Sequence, residues 1–155
     1  MKIYDCFMFS DEKMLLNLRL KSLEKFVDKF VIVEASYFHN GQSKKLNFDI
    51  NEFAEFKHKI EYIVVKDQPP DILIADNKEE VLQSDQIKII NSILRDNYQR
   101  DKLTEVLQNL DREDLIIVSD LDEIPKLSSV NFKKIDNEIL IFKQKMFYYK
   151  FNLIY

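Results

Sequence analysis

The chain has 155 residues, 46% of them apolar and 32% charged, with a formal net charge of −4. That mix excludes a disordered chain, and the acidic balance argues against nucleic acid as a partner. A single glycine, Gly41, excludes the glycine-rich phosphate loops of both the GxGxxG and Walker A kinds.

Taken in chain order, Lys2–Phe9 reads as a buried strand. Its Cys6 is the one cysteine of the chain, so no intrachain disulfide exists, and a small buried apolar role is expected for it. Ser10 suits an N-cap, with Asp11 and Glu12 in the first turn of a helix. Met14, Leu15, Leu18, Leu20 and Leu23 recur near helical spacing and carry that helix to about Phe26. Lys29–Ala35 is a second buried strand, with Glu34 near its end.

Residues 36–47 form a polar loop around Gly41. Asp49 or Asn51 can cap a short helix through about Lys57, and Ile60–Val65 is a third strand, broken off by Asp67–Asp71. Helix is predicted from about Lys78 to Leu110, in one or two pieces, with Leu82, Ile87, Ile90, Ile93 and Leu94 on one side. The apolar run Leu115–Ser119 is a further buried strand, followed by a short helix or turn over Val130–Ile135. The last stretch, Glu138–Tyr155, reads as a long strand or hairpin. Its basic, aromatic end offers a surface for another copy of the chain or for anionic lipid, or simply a strand with solvated lysines. Residues 126–155 carry a net charge of +4, against −8 for residues 1–125.

Strands alternating with helices imply βαβ units: an α/β, mainly parallel sheet flanked by helices, in one domain over residues 1–155. Ligands bind at the carboxyl ends of strands in such sheets. Glu34 and Asp120 both lie at such ends. Around Asp120 the sequence reads S-D-L-D-E-I-P, Ser119–Pro125. On an extended backbone Asp120 and Asp122 would point the same way, with Leu121 turned to the core. Two such carboxylates can share magnesium or manganese, leaving coordination positions for phosphate oxygens. The bland alternative is a charged turn with Asp120 capping the next segment. A haloacid-dehalogenase-type phosphatase is disfavoured, because that motif reads D-x-D-G-T near the N-terminus.

Several ordered segments resemble glycosyltransferase family 17: Ile3–Phe9 with Glu12–Leu20, Val27–Ala35, Gly41 with Lys45–Phe48, Tyr98–Asp101, Ser119–Pro125 and Lys145–Tyr149. The resemblance implies a GT-A-like (Rossmann-like) fold, a UDP-sugar donor and a divalent metal at Asp120 and Asp122. It also implies donor-binding positions at Glu34, Arg100, Asp101 and Asp120. Arg100 suits a diphosphate, or an exposed ion pair with Asp96 or Asp101. Glu123 is the candidate general base, with His39 and His58 behind it. The chain departs from the family in stopping soon after Lys145–Tyr149, where the family continues, and in opening its first helix with S-D-E rather than N-E.

The expected activity is metal-dependent, inverting transfer of a sugar, GlcNAc by resemblance, from a UDP-sugar to a glycan or glycolipid acceptor such as lipopolysaccharide. The alternative is a non-catalytic nucleotide-sugar-binding half domain that needs a partner chain or a missing C-terminal segment. No apolar run reaches the ~20 residues that span a bilayer, and no signal-peptide pattern opens the chain. A cytoplasmic location is therefore expected, with association at the inner face of a membrane and self-association through the C-terminal strand as further expectations.

Overall fold

The computed structural model describes residues 1–74, 81–108, 110–135 and 139–145. Four strands, β1 (Ile3–Met8), β2 (Lys29–Ala35), β3 (Ile60–Val65) and β4 (Leu115–Val118), form one sheet. Its order is β3-β2-β1-β4 and every pairing is parallel. Helices α1 (Lys13–Leu23), α2 (Val81–Asp101) and α3 (Thr104–Leu107) flank it, together with a 3₁₀ segment at Ile50–Phe56. The arrangement is α/β and Rossmann-like.

The two central strands are buried on both faces, as parallel strands between helices must be. Period-2 alternation sorts their side chains. Ile3, Phe7, Phe30 and Ile32 join Leu16, Leu20 and Leu23 of α1 and Phe53 and Phe56 on one face. Tyr4, Cys6, Val31, Val33 and Ala35 join Leu103 and Val106 beside α3 on the other. Burial pushes the Cys6 thiol up to about 12, with the neighbouring carboxylates of Asp5 and Glu61 adding to the shift.

Five expectations need correction. The buried stripe of α1 is Leu16, Arg19, Leu20 and Leu23, whereas Met14 and Leu18 are 82% and 54% exposed. A charged residue sits in the middle of the true stripe, so apolar periodicity alone slides onto the wrong face. Ser10 does not cap α1 with its side chain. Instead Glu12 folds back, and its Oε2 accepts from the Ser10 and Asp11 amides at 3.2 and 3.0 Å. Strand β4 is an edge, not a buried strand, with Ile116 and Val118 41% and 55% exposed.

On α2, Ile90 and Ile93 face outward, and the inner side is polar. Asn91 bonds both the amide and the carbonyl of Leu73 at 2.8 Å, and Gln99 donates to the Val33 carbonyl at 3.0 Å. The side chain of Leu82 and the helix start expected at Lys78 lie outside the described residues. The expected C-terminal strand is not seen over the described residues 139–145, and its remainder lies outside them.

Candidate functional site

The strand order reverses at β1, which has β2 and β3 on one side and β4 on the other. Such a reversal opens a crevice at the carboxyl rim of a parallel sheet. A cleft of about 450 Å³ lies there. Its walls are the end of β1, the loop after β2 including Tyr37 and His39, one side of α2, and the Asp120–Asp122 segment.

That segment is a turn rather than an extended strand end. The Glu123 amide donates to the Asp120 carbonyl at 3.0 Å, and the Ile124 amide to the Asp122 carbonyl at 3.1 Å. Leu121 is buried in the core, as expected, while Asp120 and Asp122 still line the same cleft. That both carboxylates line one cleft is therefore a matter of turn geometry, not of strand pleat.

Arg19 is what holds the turn, and the sequence reading gave this residue no role. Its side chain is fully buried and spends every guanidinium donor. Nε and Nη2 form a fork on Asp5 at 2.9 and 2.7 Å. Nη2 also reaches Ser119 Oγ at 2.7 Å. Nη1 gathers the carbonyls of Asp120, Leu121 and Glu123 at 2.6, 3.1 and 3.3 Å. Phe7 covers the guanidinium face, with its ring centroid 4.6 Å away. Three carbonyls drawn to one nitrogen close the backbone into its turn. Only the planar five-donor fork of arginine can serve an acid, a hydroxyl and three carbonyls together.

Burial raises the Asp5 carboxyl, and the bonds and charge of Arg19 oppose that rise. A buried, inward-pointing aspartate on β1 at helix-packing distance from an arginine on α1 was the signal available in the sequence: Asp5 interrupts an apolar strand, and Arg19 interrupts an apolar stripe.

The other anticipated positions separate. Arg100 lines the cleft and donates from both Nη atoms to Asp120 Oδ1 at 3.2 Å, with Asp96 at 3.5 Å. Its partners are thus Asp96 and Asp120, not Asp101. Asp101 is exposed and stands outside the cleft lining. Glu123 also stands outside it, and its Oε2 accepts from the Asp120 amide at 3.1 Å.

Glu34 is fully buried and faces the 44–48 loop. It accepts from Lys44 Nζ at 2.6 Å, the Asn47 and Phe48 amides at 2.8 and 3.1 Å, and Tyr62 Oη at 2.8 Å. Burial first, and then the bond to Glu34, push the Tyr62 phenol up. Among these, Lys44 lines the cleft. His39 is on the cleft wall and His58 is exposed on a turn.

Carboxylate oxygens are the ligand type that hard divalent cations take. The Asp122 carboxylate makes no hydrogen bond or ion pair with a described residue, and one oxygen of Asp120 is free of Arg100. No group of three or more His, Cys, Asp or Glu side chains able to hold a metal occurs among the described residues. An all-protein cage is therefore not what these residues build. No helix among the described residues is long and apolar enough to cross a membrane.

A family model described as Glycosyltransferase family 17 matches residues 1–155. A β-1,4-mannosyl-glycoprotein 4-β-N-acetylglucosaminyltransferase of Homo sapiens is 27% identical over 125 residues, covering 78% of this chain and 21% of its own. The Rattus norvegicus protein of that name matches equally, and that of Mus musculus is 26% identical over the same length. The chain thus spans about a fifth of the length of the curated relatives it matches. No solved structure matches it significantly.

Proposed function

Because the chain belongs to glycosyltransferase family 17, we propose that its cleft binds the diphosphate of a nucleotide-sugar donor and presents the sugar for transfer to a glycan or glycolipid acceptor. The single observation that carries this reading is the acidic turn. Asp120 and Asp122 face one cleft at the strand-order reversal, on a backbone that Arg19 fixes from beneath.

Asp120 and Asp122 would hold a manganese or magnesium ion, which when bound neutralises the diphosphate leaving group. The chain's own residues do the rest. Arg100, shared between Asp96 and Asp120, sits where guanidinium donors can turn to a phosphate oxygen. Glu34 and Lys44 keep the loop at the end of β2 shaped against the cleft. The GT-A-like fold, a UDP-GlcNAc donor, inversion at the sugar carbon and a lipopolysaccharide-type acceptor belong to the same proposal. They draw on the family and on the N-acetylglucosaminyltransferase names of the relatives.

The test is UDP binding to the purified chain, followed by calorimetry with and without manganese. The expected result is manganese-dependent binding that Asp120→Ala with Asp122→Ala abolishes. Binding that is indifferent to manganese and to both substitutions would sink the metal site. The fifth-length overlap with the relatives supports a second reading, in which this chain binds the donor and an additional segment or chain supplies the acceptor side. Donor binding without turnover of UDP-GlcNAc is the outcome that favours it.

A further inference from the structure

Three arginines belong to this site, and their charges are balanced differently. Arg19 has Asp5, and Arg100 has Asp96 and Asp120. Arg95, on the cleft wall, is 9% exposed and has no carboxylate among the described residues. Neutral oxygens hold it instead: Nε donates to Gln68 Oε1 at 2.6 Å and Nη1 to the His39 carbonyl at 3.0 Å. A buried cation that makes no ion pair with a described residue is costly, so its retention needs a reason.

The surroundings keep the guanidinium in place. Gly41, at φ +85°, passes so close that a Cβ there would lie 2.5 Å from Arg95 Nη2. A second observation points to a ligand on the same wall. Tyr37 is 6% exposed and lines the cleft, and its hydroxyl has no hydrogen-bond partner among the described residues. The charges of Arg95 and Asp67 both reach it, in opposite directions. A buried unsatisfied hydroxyl is rare and destabilising.

We infer that Arg95 is an oxyanion receptor whose guanidinium takes a phosphate oxygen of the bound nucleotide diphosphate, with the Tyr37 hydroxyl beside it as a further polar contact. This rests on the nucleotide-sugar reading of the cleft. Arg95 and Arg100 are five residues apart on α2, a rise of about 7.5 Å. Long side chains spanning that interval can grip the two ends of a diphosphate. A metal held by the carboxylates of the turn, with Arg100, would serve one end, and Arg95, which has no ion pair to break among the described residues, the other.

The experiment measures the affinity of uridine, UDP and inorganic pyrophosphate, each with manganese, for the parent chain, Arg95→Gln and Arg95→Lys. Thermal melting checks that each variant folds. The expected result is UDP and pyrophosphate binding at least tenfold weaker in Arg95→Gln and several-fold weaker in Arg95→Lys, with uridine binding unchanged. Parent-like UDP and pyrophosphate affinities in the folded variants overturn the role of Arg95 and leave the nucleotide reading standing. If the parent binds pyrophosphate but gains nothing from uridine, the nucleotide reading falls, and the pyrophosphate loss alone decides for or against Arg95. A parent that binds neither overturns both. If Arg95→Gln does not fold, Arg95→Lys decides, and an unchanged pyrophosphate affinity there rejects the inference.

Discussion

Arg19 joins stability to site geometry in one side chain, and the two roles can be pulled apart. Arg19→Met leaves Asp5 buried without its partner, for which the expected loss is about 3–5 kcal/mol in urea unfolding. Adding Asp5→Leu removes the stranded charge and should recover most of that loss, since apolar replacements of buried ion pairs are often neutral or better. Binding of UDP with manganese should stay weak in the double variant, because the carbonyls of Asp120, Leu121 and Glu123 have lost their common donor. Recovery of both stability and affinity would show that the turn holds itself.

Cys6 gives a second residue-scale expectation. It is fully buried, and its thiol is raised from 9.0 to about 12. The folded value exceeds the unfolded one, so the neutral thiol's contribution is fully present below about pH 9 and is lost as pH rises from there toward 12. The folded chain should therefore resist iodoacetamide at pH 8, with modification following only on unfolding. Rapid alkylation of the native chain at that pH would contradict the burial.

At the scale of elements, the sequence was legible where apolar pattern and packing coincide. Strands β2 and β3 fall on the bounds that their apolar runs predict, and Asp49 does cap the 3₁₀ segment, accepting from the Asn51 amide at 2.9 Å. Legibility failed where an inner face is polar. Helix α2 turns Asn91, Arg95 and Gln99 inward at i, i+4 and i+8, because their partners are backbone carbonyls and amides of loops and strands rather than apolar side chains. A count of hydrophobic positions picks out Ile90 and Ile93, which face outward.

The acidic stretch was legible as a pair of carboxylates, with a charged turn as its alternative reading; what closes that turn was not legible, being an arginine a hundred residues earlier in the chain. Glu34 similarly reads as a strand-end acid, yet its partners define a loop. Glu34→Gln removes the charge facing Lys44 and weakens two amide bonds, at about 1.5–3 kcal/mol per charged hydrogen bond. The expected outcome is faster hydrogen exchange at the Asn47 and Phe48 amides, with those of β1 unaffected. Uniform acceleration across the sheet would instead mark Glu34 as a global stabiliser.

Across the whole molecule, the cleft is assembled from distant pieces: the end of β1, the loop after β2, the side of α2 and the turn after β4. Gly41 ties two of them together. Its positive φ disfavours any side chain, and the missing Cβ is where the Arg95 guanidinium lies. Gly41→Ala should accordingly destabilise the fold by about 1 kcal/mol or more and weaken UDP binding in parallel with Arg95→Gln. Calorimetry on both variants checks the pairing, and full UDP affinity in Gly41→Ala would show that the two groups move independently.

The contacts of Arg19 span 100 to 104 residues of chain at the acidic turn, but only 14 at Asp5. During folding, then, the arginine can find its aspartate early, while β1 and α1 are still a local hairpin of strand and helix. Its remaining donors wait until β4 docks on the far side of β1, a closure of high contact order and so a slow one. The binding turn is thus expected to form late. In a refolding experiment, tertiary burial around β1, β2 and β3 should precede competence for UDP, and the delay between them times the arrival of β4.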